Sequence, residues 1–239
     1  MKTFNFITLF VLIFIFLPVL SYSAEKDSCL NCHVSLKEPA KHVHKVLNMG
    51  CELCHEPVQG KEHPQQKDSI KLNQKMPGLC FVCHKEARFK GKSVHAPVSG
   101  GMCTGCHDAH QSNFPKLLKK ESPEICYNCH DKSKFNKKVI HMAIPAVGCN
   151  TCHAPHASDH QTLLADEINP LCLSCHKSKA SGKHVVAIPG GKHHPLRGMP
   201  DPSNPKREMS CVSCHDPHST DYENLFYTQN MCVRCHKEF

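Results

Sequence analysis

The chain has 239 residues, of which 18 are cysteine, 21 are histidine and 17 are proline, and it contains no tryptophan. Only 6% of the residues are aromatic, and much of the 40% hydrophobic fraction lies in the first twenty residues and in the cysteines. Few aliphatic side chains remain for a continuous core, which argues against an ordinary α/β enzyme, a β-sandwich or a barrel. We therefore expect a non-protein group to fill the interior.

Residues 1–23 are predicted to be a secretory signal peptide. Lys2 precedes an almost unbroken apolar run over residues 4–20, and small residues surround Ser23, where cleavage is expected. An uncleaved membrane anchor is the alternative, because 17 apolar residues are at the lower limit for spanning a bilayer. We expect an exported, periplasmic protein that begins near Ala24 and does not span the membrane.

All 18 cysteines fall into nine Cys-x-x-Cys pairs, and a histidine directly follows each pair. Zinc sites and disulfides also use paired cysteines, but neither needs a histidine at that position. This spacing is the attachment signature of c-type haem, in which two thiols bind the porphyrin and the adjacent histidine binds the iron. The sequence therefore predicts nine covalently attached haem c groups. The predicted attachment residues are Cys29, Cys32, Cys51, Cys54, Cys80, Cys83, Cys103, Cys106, Cys126, Cys129, Cys149, Cys152, Cys172, Cys175, Cys211, Cys214, Cys232 and Cys235. The predicted proximal iron ligands are His33, His55, His84, His107, His130, His153, His176, His215 and His236.

The predicted haem content determines the expected fold class. Nine haems in the 216 residues after the signal peptide leave about 24 residues for each haem. Frequent proline and glycine also argue against long helices or an extensive sheet. We expect mostly irregular coil with short α-helices wrapped around stacked haems, with little or no β-sheet.

From the second motif onward, the haem motifs occur in pairs. The first cysteines of the two motifs in a pair are 29, 23, 23 and 21 residues apart. In three pairs, a second histidine lies three residues after the first proximal histidine, and an apolar doublet follows: Leu117–Leu118, Leu163–Leu164 and Leu225–Phe226. We predict a single-haem segment at 24–50 and two-haem modules at 51–90, 91–136, 137–183 and 184–239, all within one continuous domain.

At these motifs the sequence resembles the doubled-CXXCH multihaem cytochromes c, and the resemblance covers nearly all of residues 29–236. It implies a periplasmic or surface electron-transfer protein with bis-histidine haems. The implied partners are redox proteins, including an outer-membrane complex of a β-barrel and cytochromes. Two features depart from the family pattern. Val58 stands where the other modules have the second histidine, and about 35 residues separate His176 from Cys211.

The histidines outside the motifs are twelve in number, enough for a distal ligand on every iron. Because His44, His95 and His141 each lie eleven residues after a proximal histidine, we assign them to the first haem of their modules, and we assign His193 likewise. The second haems are assigned His63, His110, His156 and His218. His42 is assigned to the haem at Cys29, and His160, His184 and His194 are predicted to lie at the surface. A solvated or propionate-bonding histidine is the alternative at each distal position.

Bis-histidine coordination leaves no open iron site for a substrate, so we expect low-potential electron transfer without enzymatic activity. A multihaem reductase is the less favoured alternative, because the chain has no Cys-x-x-Cys-Lys motif and no large haem-poor segment. A subunit of an extracellular filament or of an outer-membrane conduit is a further alternative.

The formal net charge is +8, and many of the lysines lie between the modules. Without stacking aromatic residues in an exported chain, nucleic-acid binding is not expected. The lysines either neutralise haem propionates or steer an acidic redox partner. They are Lys85, Lys90, Lys92, Lys132, Lys134, Lys137, Lys138, Lys177, Lys179 and Lys183.

Overall fold

The computed structural model describes residues 26–180, 187–188 and 192–236. The predicted signal peptide, His184 and the side chain of His193 lie outside the described part of the chain. No helix in the described ranges combines the length and the apolar character that a membrane crossing requires.

The described helices are short, as the proline and glycine content predicts. The α-helices have four to six residues: α1 (Lys26–Leu30), α2 (Gly78–Phe81), α3 (Ala96–Ser99), α4 (Cys103–Cys106), α5 (Ala143–Val147), α6 (Ile168–Leu173) and α7 (Cys232–Cys235). Single 3₁₀ turns cover Val34–Leu36, Lys45–Asn48, Cys51–Leu53, Glu86–Phe89, Pro115–Leu117, Cys126–Asn128, Lys132–Phe135, Cys149–Thr151, Gln161–Leu163, Lys177–Lys179, Cys211–Ser213 and Glu223–Leu225.

The strands are also short and form antiparallel sheets of two strands each. The strands are β1 (His42–Val43), β2 (His55–Pro57), β3 (Ile70–Leu72), β4 (Ser93–Val94), β5 (Gln111–Ser112), β6 (Val139–Ile140), β7 (Ala157–Ser158), β8 (Ala187–Ile188), β9 (Lys192–His193), β10 (Pro200–Asp201), β11 (Asn204–Glu208) and β12 (Ser219–Thr220). The sheets pair β1 with β5, β2 with β3, β4 with β7, β6 with β12, β8 with β9, and β10 with β11. The structure confirms the predicted combination of short helices, irregular segments and little β-sheet.

Three of these sheets join segments that are far apart in the sequence, and they follow one rule. The first strand of each sheet (β1, β4 or β6) directly precedes a histidine, and its partner (β5, β7 or β12) directly follows another histidine. Backbone hydrogen bonds continue each ladder from one histidine to the other: His44 N–H to His110 O at 2.8 Å, His95 N–H to His156 O at 2.9 Å, and His141 N–H to His218 O at 2.9 Å. Each sheet therefore holds two candidate ligands side by side.

Hydrophobic side chains contribute almost no buried core. Among the described residues, only Ile125 and Met209 are buried hydrophobic residues, with 9% and 6% of their surface exposed. A chain of this size normally buries many aliphatic side chains when it folds. The described polypeptide thus has the form expected of a wrapper around another component.

The hairpin of β10 and β11 is fastened to the Cys211–His215 motif by one carboxylate. Asp201 is fully buried and accepts hydrogen bonds from the hydroxyls of Ser203 at 2.6 Å and Ser213 at 2.7 Å. Arg207 completes the cluster with an ion pair at 2.8 Å. Burial by itself would raise the pKa of the Asp201 carboxyl, but the hydrogen bonds from Ser203, Ser213 and Arg207 outweigh it and hold the pKa well below its usual range. Because Ser213 lies between the two cysteines of the motif, the hairpin and the motif are held as one unit.

Replacing Asp201 with Asn should loosen this unit, because Arg207 and the two hydroxyls lose a shared anionic acceptor. We expect the opening free energy of β11, measured by hydrogen exchange of the holoprotein, to fall by about 2–3 kcal/mol at pH 7. Since the folded pKa is depressed, the stabilisation is complete above the unfolded value near about pH 4 and declines only below it. Asp131→Asn, at an exposed cap that accepts from Ser133, is the control, and equal exchange in both variants would contradict the assignment.

Candidate haem sites

Eight CXXCH histidines each face a second histidine ring of the described chain, and the gap between the rings is similar in all eight pairs. The ring centroids are 5.9 to 6.3 Å apart. The pairs are His33 with His63, His55 with His110, His84 with His44, His107 with His156, His130 with His95, His153 with His218, His176 with His141, and His236 with His194. The ninth proximal histidine, His215, packs against Phe226 at 5.0 Å.

This spacing fits one metal ion between two imidazole rings. Each metal–nitrogen bond to imidazole is about 2 Å long, so two rings bound on opposite sides of one ion have centres about 6 Å apart. The ring planes lie within 10–23° of parallel in six pairs, at 38° for His107–His156 and at 85° for His194–His236. Rotating a ring about its metal–nitrogen axis leaves the spacing unchanged. All eight pairs are therefore compatible with a six-coordinate haem iron, and the adjacent cysteines supply the covalent attachment.

The cross-segment sheets also orient three of the distal histidines, meaning those outside the motifs. The Nδ1 atom of each ring donates to the backbone carbonyl of the residue before the histidine across the sheet. The three bonds are His44 to Ala109 at 2.8 Å, His95 to Pro155 at 2.9 Å, and His141 to Pro217 at 3.0 Å. A carbonyl only accepts, so Nδ1 carries the proton and Nε2 is left to bind a metal.

Three of the proximal histidines are oriented by a recurring tight turn. Their Nδ1 atoms donate to backbone carbonyls nine residues later: His107 to Lys116 at 2.8 Å, His153 to Thr162 at 3.0 Å, and His215 to Asn224 at 2.6 Å. The acceptor residues have left-handed φ values of 59°, 55° and 54°, and the first residue of each apolar doublet is left-handed too. The second residue of each doublet forms a β-bridge with the proximal histidine. The doublets seen in the sequence therefore mark turns that aim a ligand.

Burial favours the neutral, metal-binding form of two of these rings. It lowers the pKa of His55, and the nearby imidazoles of His110 and His33 lower it further. Burial likewise lowers the pKa of His156, reinforced by His107 and His95. A neutral imidazole has a free lone pair for an iron.

The observed ring pairs differ from those expected from spacing alone. His95 faces His130 of the second motif in its module, where the sequence assigned it to the first motif at His107. His110 faces His55 of an earlier motif, where the sequence assigned it to His130. The same shift applies to the other regular histidines, namely His44, His141, His156 and His218. The strand pairing causes this shift. Each sheet places the second histidine of one module next to the histidine that lies upstream of the preceding module's first motif.

The irregular sites also differ from the sequence-based assignment. His33 faces His63, whose Nδ1 bonds to the Ser69 hydroxyl at 3.0 Å, whereas His42 lies in β1 opposite Ser112. His194, predicted to lie at the surface, faces His236. Nothing in the local sequence separates it from its neighbour His193.

Contacts between cysteine thiols connect successive modules. The side chains of Cys126 and Cys149 lie close enough for free thiols to interact, which would raise the pKa of Cys126 and lower that of Cys149 before a porphyrin is attached. The same contact joins Cys172 with Cys211. Each contact links the second motif of one module to the first motif of the next. Porphyrins attached at these cysteines would be neighbours across the module boundary.

Two of the lysines between modules form ion pairs with glutamates. Lys90 lies 3.0 Å from Glu86, and Lys132 lies 2.9 Å from Glu124. Both pairs are exposed, so each contributes little to stability. Their ammonium groups remain at the surface, where a partner or a propionate could reach them.

Comparison with known proteins supports the interpretation of the motifs. The profile of the doubled CXXCH motif family matches residues 44–89, 95–135, 141–181 and 204–239, which together make up more than half of the chain. The first three matches begin at His44, His95 and His141. A segment of 86 residues is 33% identical to the multiheme cytochrome MtrA of Shewanella baltica (strain OS185), covering 34% of this chain and 24% of that protein. The chain thus spans about a quarter of the length of this relative. The chain belongs to the doubled-CXXCH family of multihaem c-type cytochromes.

Proposed function

We propose that the chain is a nine-haem cytochrome c that conducts electrons along a row of bis-histidine haems between redox proteins outside the cytoplasm. The observation that carries this proposal is the set of eight histidine pairs whose rings are about 6 Å apart. Each pair joins one CXXCH histidine to one histidine outside the motifs. Haem count and spin state test the proposal directly.

The proposed distal ligands follow the ring pairs. In the order of the attachment motifs they are His63, His110, His44, His156, His95, His218 and His141 for the first seven haems, and His194 for the haem at Cys232. His215 is the proposed proximal ligand of the haem at Cys211, and His193 as its distal ligand stays a sequence-based prediction.

In this scheme the protein's residues attach the haems, orient them and enclose them. The two cysteines of each motif would attach a porphyrin covalently, and the paired histidines would bind its iron. Each haem supplies a site that gains or loses one electron. An iron held by two histidines would have no coordination site free for a substrate, which favours electron transfer over a reductase activity. Histidine ligands, without methionine, favour low reduction potentials.

The proposed location is the periplasm or the outer membrane. The support is the signal-peptide pattern at residues 1–23 and the similarity to a multihaem cytochrome. The proposed partners are a redox donor and a redox acceptor, and an outer-membrane cytochrome complex is one form such a partner could take. Surface lysines such as Lys90 and Lys132 fit an acidic docking surface on either partner.

The first test is the haem content of the purified holoprotein. A pyridine haemochrome assay should give nine covalent haems per chain, and the ferric EPR spectrum should show low-spin signals only, because every iron has two imidazole ligands. Eight or fewer haems, or a strong high-spin ferric signal, would contradict the proposal.

The second test distinguishes the observed ring pairs from the spacing-based pairs. His110→Met should give a His/Met-ligated haem of raised potential, because a thioether replaces an imidazole. If His110 binds the haem at Cys51, the His/Met absorption band should vanish when that haem is deleted by Cys51→Ala with Cys54→Ala. It should persist when the haem at Cys126 is deleted by Cys126→Ala with Cys129→Ala.

The reciprocal variant provides the matched comparison. His95→Met should lose its band in the background without the Cys126 haem and keep it in the background without the Cys51 haem. His160→Met, at a histidine predicted to lie at the surface, should give no band in either background. Loss of the His110→Met band with the Cys126 haem would restore the spacing-based assignment.

A further inference from the structure

The three regular first motifs share one backbone but differ at the residue after the proximal histidine. That residue is Asp108, Ala154 or Asp216. In all three, its N–H donates to the left-handed residue of the apolar doublet, at 2.7 Å to Leu117 and Leu163 and at 2.8 Å to Leu225. The difference at this position is therefore the presence or absence of a carboxylate, and the next residue is Ala109, Pro155 or Pro217.

The carboxylate lies beside the distal histidine two residues later. Asp216 Oδ1 accepts from the backbone N–H of His218 at 2.9 Å and lies 3.3 Å from the Nδ1 atom of its ring. Asp108 accepts from the backbone N–H of His110 at 2.8 Å, but its oxygen is 3.8 Å from Nδ1, beyond hydrogen-bond distance. The Asp216 side chain is also less exposed, at 26% against 40% for Asp108. His156 has Ala154 at the corresponding position, and no carboxylate of the described residues lies beside its ring.

The Nδ1 atoms of the other oriented distal ligands contact uncharged groups. In the described chain these are backbone carbonyls for His44, His95, His141 and His194, and the Ser69 hydroxyl for His63. A carboxylate next to Nδ1–H draws the proton towards itself and makes the imidazole a stronger donor to the metal. A stronger donor stabilises ferric iron relative to ferrous iron. The charge of the group beside Nδ1 thus becomes a means of setting the potential of a single haem.

We propose that Asp216 is a positioning residue that lowers the reduction potential of the haem at Cys149 through His218, and that Asp108 acts more weakly on the haem at Cys51 through His110. The haem at Cys103, held by His156, has no carboxylate and has the highest potential of the three. This inference rests on the proposed function, because it assumes the ligand pairs given above. Of these three haems, the one at Cys103 would have a higher reduction potential than those at Cys51 and Cys149, which precede and follow it in the sequence.

Asp216→Asn tests this with the smallest change of shape. The amide oxygen still accepts from the His218 N–H and keeps the turn, but the negative charge is lost. In a potentiometric titration of the nine-haem protein, we expect one component to move to higher potential while the other eight stay in place. Ala154→Asp should move one component to lower potential.

Haem count and EPR spectra separate failure of this inference from failure of the proposed function. With nine low-spin haems retained, an unchanged titration in Asp216→Asn would overturn it, as would shifts of the same sign in Asp216→Asn and Ala154→Asp. In a His218→Met background, Asp216→Asn should leave every haem potential unchanged, because the imidazole ring that transmits the effect of the carboxylate is gone. A shift that persists there would also overturn the inference. Missing haems or high-spin iron in the unsubstituted protein would instead count against the ligand scheme.

Discussion

Backbone pairing between a strand that precedes one histidine and a strand that follows another determines which rings meet. Each of these sheets has only two residue pairs, as in β4 with β7. A two-stranded sheet of this length is not stable in water by itself. With two buried hydrophobic residues in the described chain, packing cannot supply the missing stability either. Metal binding that unites the paired histidines would supply it, because a site absent from the unfolded chain contributes its binding free energy to folding.

The sequence predicts the parts of this molecule that depend on covalent chemistry and local backbone geometry. The nine attachment motifs are visible because two thiols and a histidine must stand at a fixed spacing in the sequence to meet one porphyrin. The short helices follow from proline and glycine. The repeated apolar doublets are also visible in the sequence, but their role in orienting a proximal histidine is not. Lys116–Leu117 and Thr162–Leu163 adopt left-handed conformations that these residue types disfavour, so no local preference reveals the turn.

Seven of the eight proposed distal ligands are among the histidines chosen from the sequence, but spacing does not match them to their irons. His95 lies upstream of His107 and close to it in the chain, so spacing favours the nearer motif. The pairing of β4 with β7 directs it to His130 instead. Long-range register of this kind leaves no periodic signal in the sequence, because two residues per strand are too few to show alternation. The choice between His193 and His194 shows the same limit, since a shift of one residue reverses the side of a strand.

The distance in sequence between a haem motif and its distal histidine has a consequence for synthesis, which proceeds from the N-terminus. Under the proposed ligand scheme, the second haem of each repeat takes a histidine such as His95 that has been made before its own motif. The first haem takes one such as His156 that is made only after two further motifs have followed. If haems are attached in the order of the motifs as the exported chain emerges, the newest complete repeat would have one iron with both histidines at hand and one still open on its distal face. Such an open iron would be the most reactive site on the immature chain, and its place would move forward by one repeat at a time.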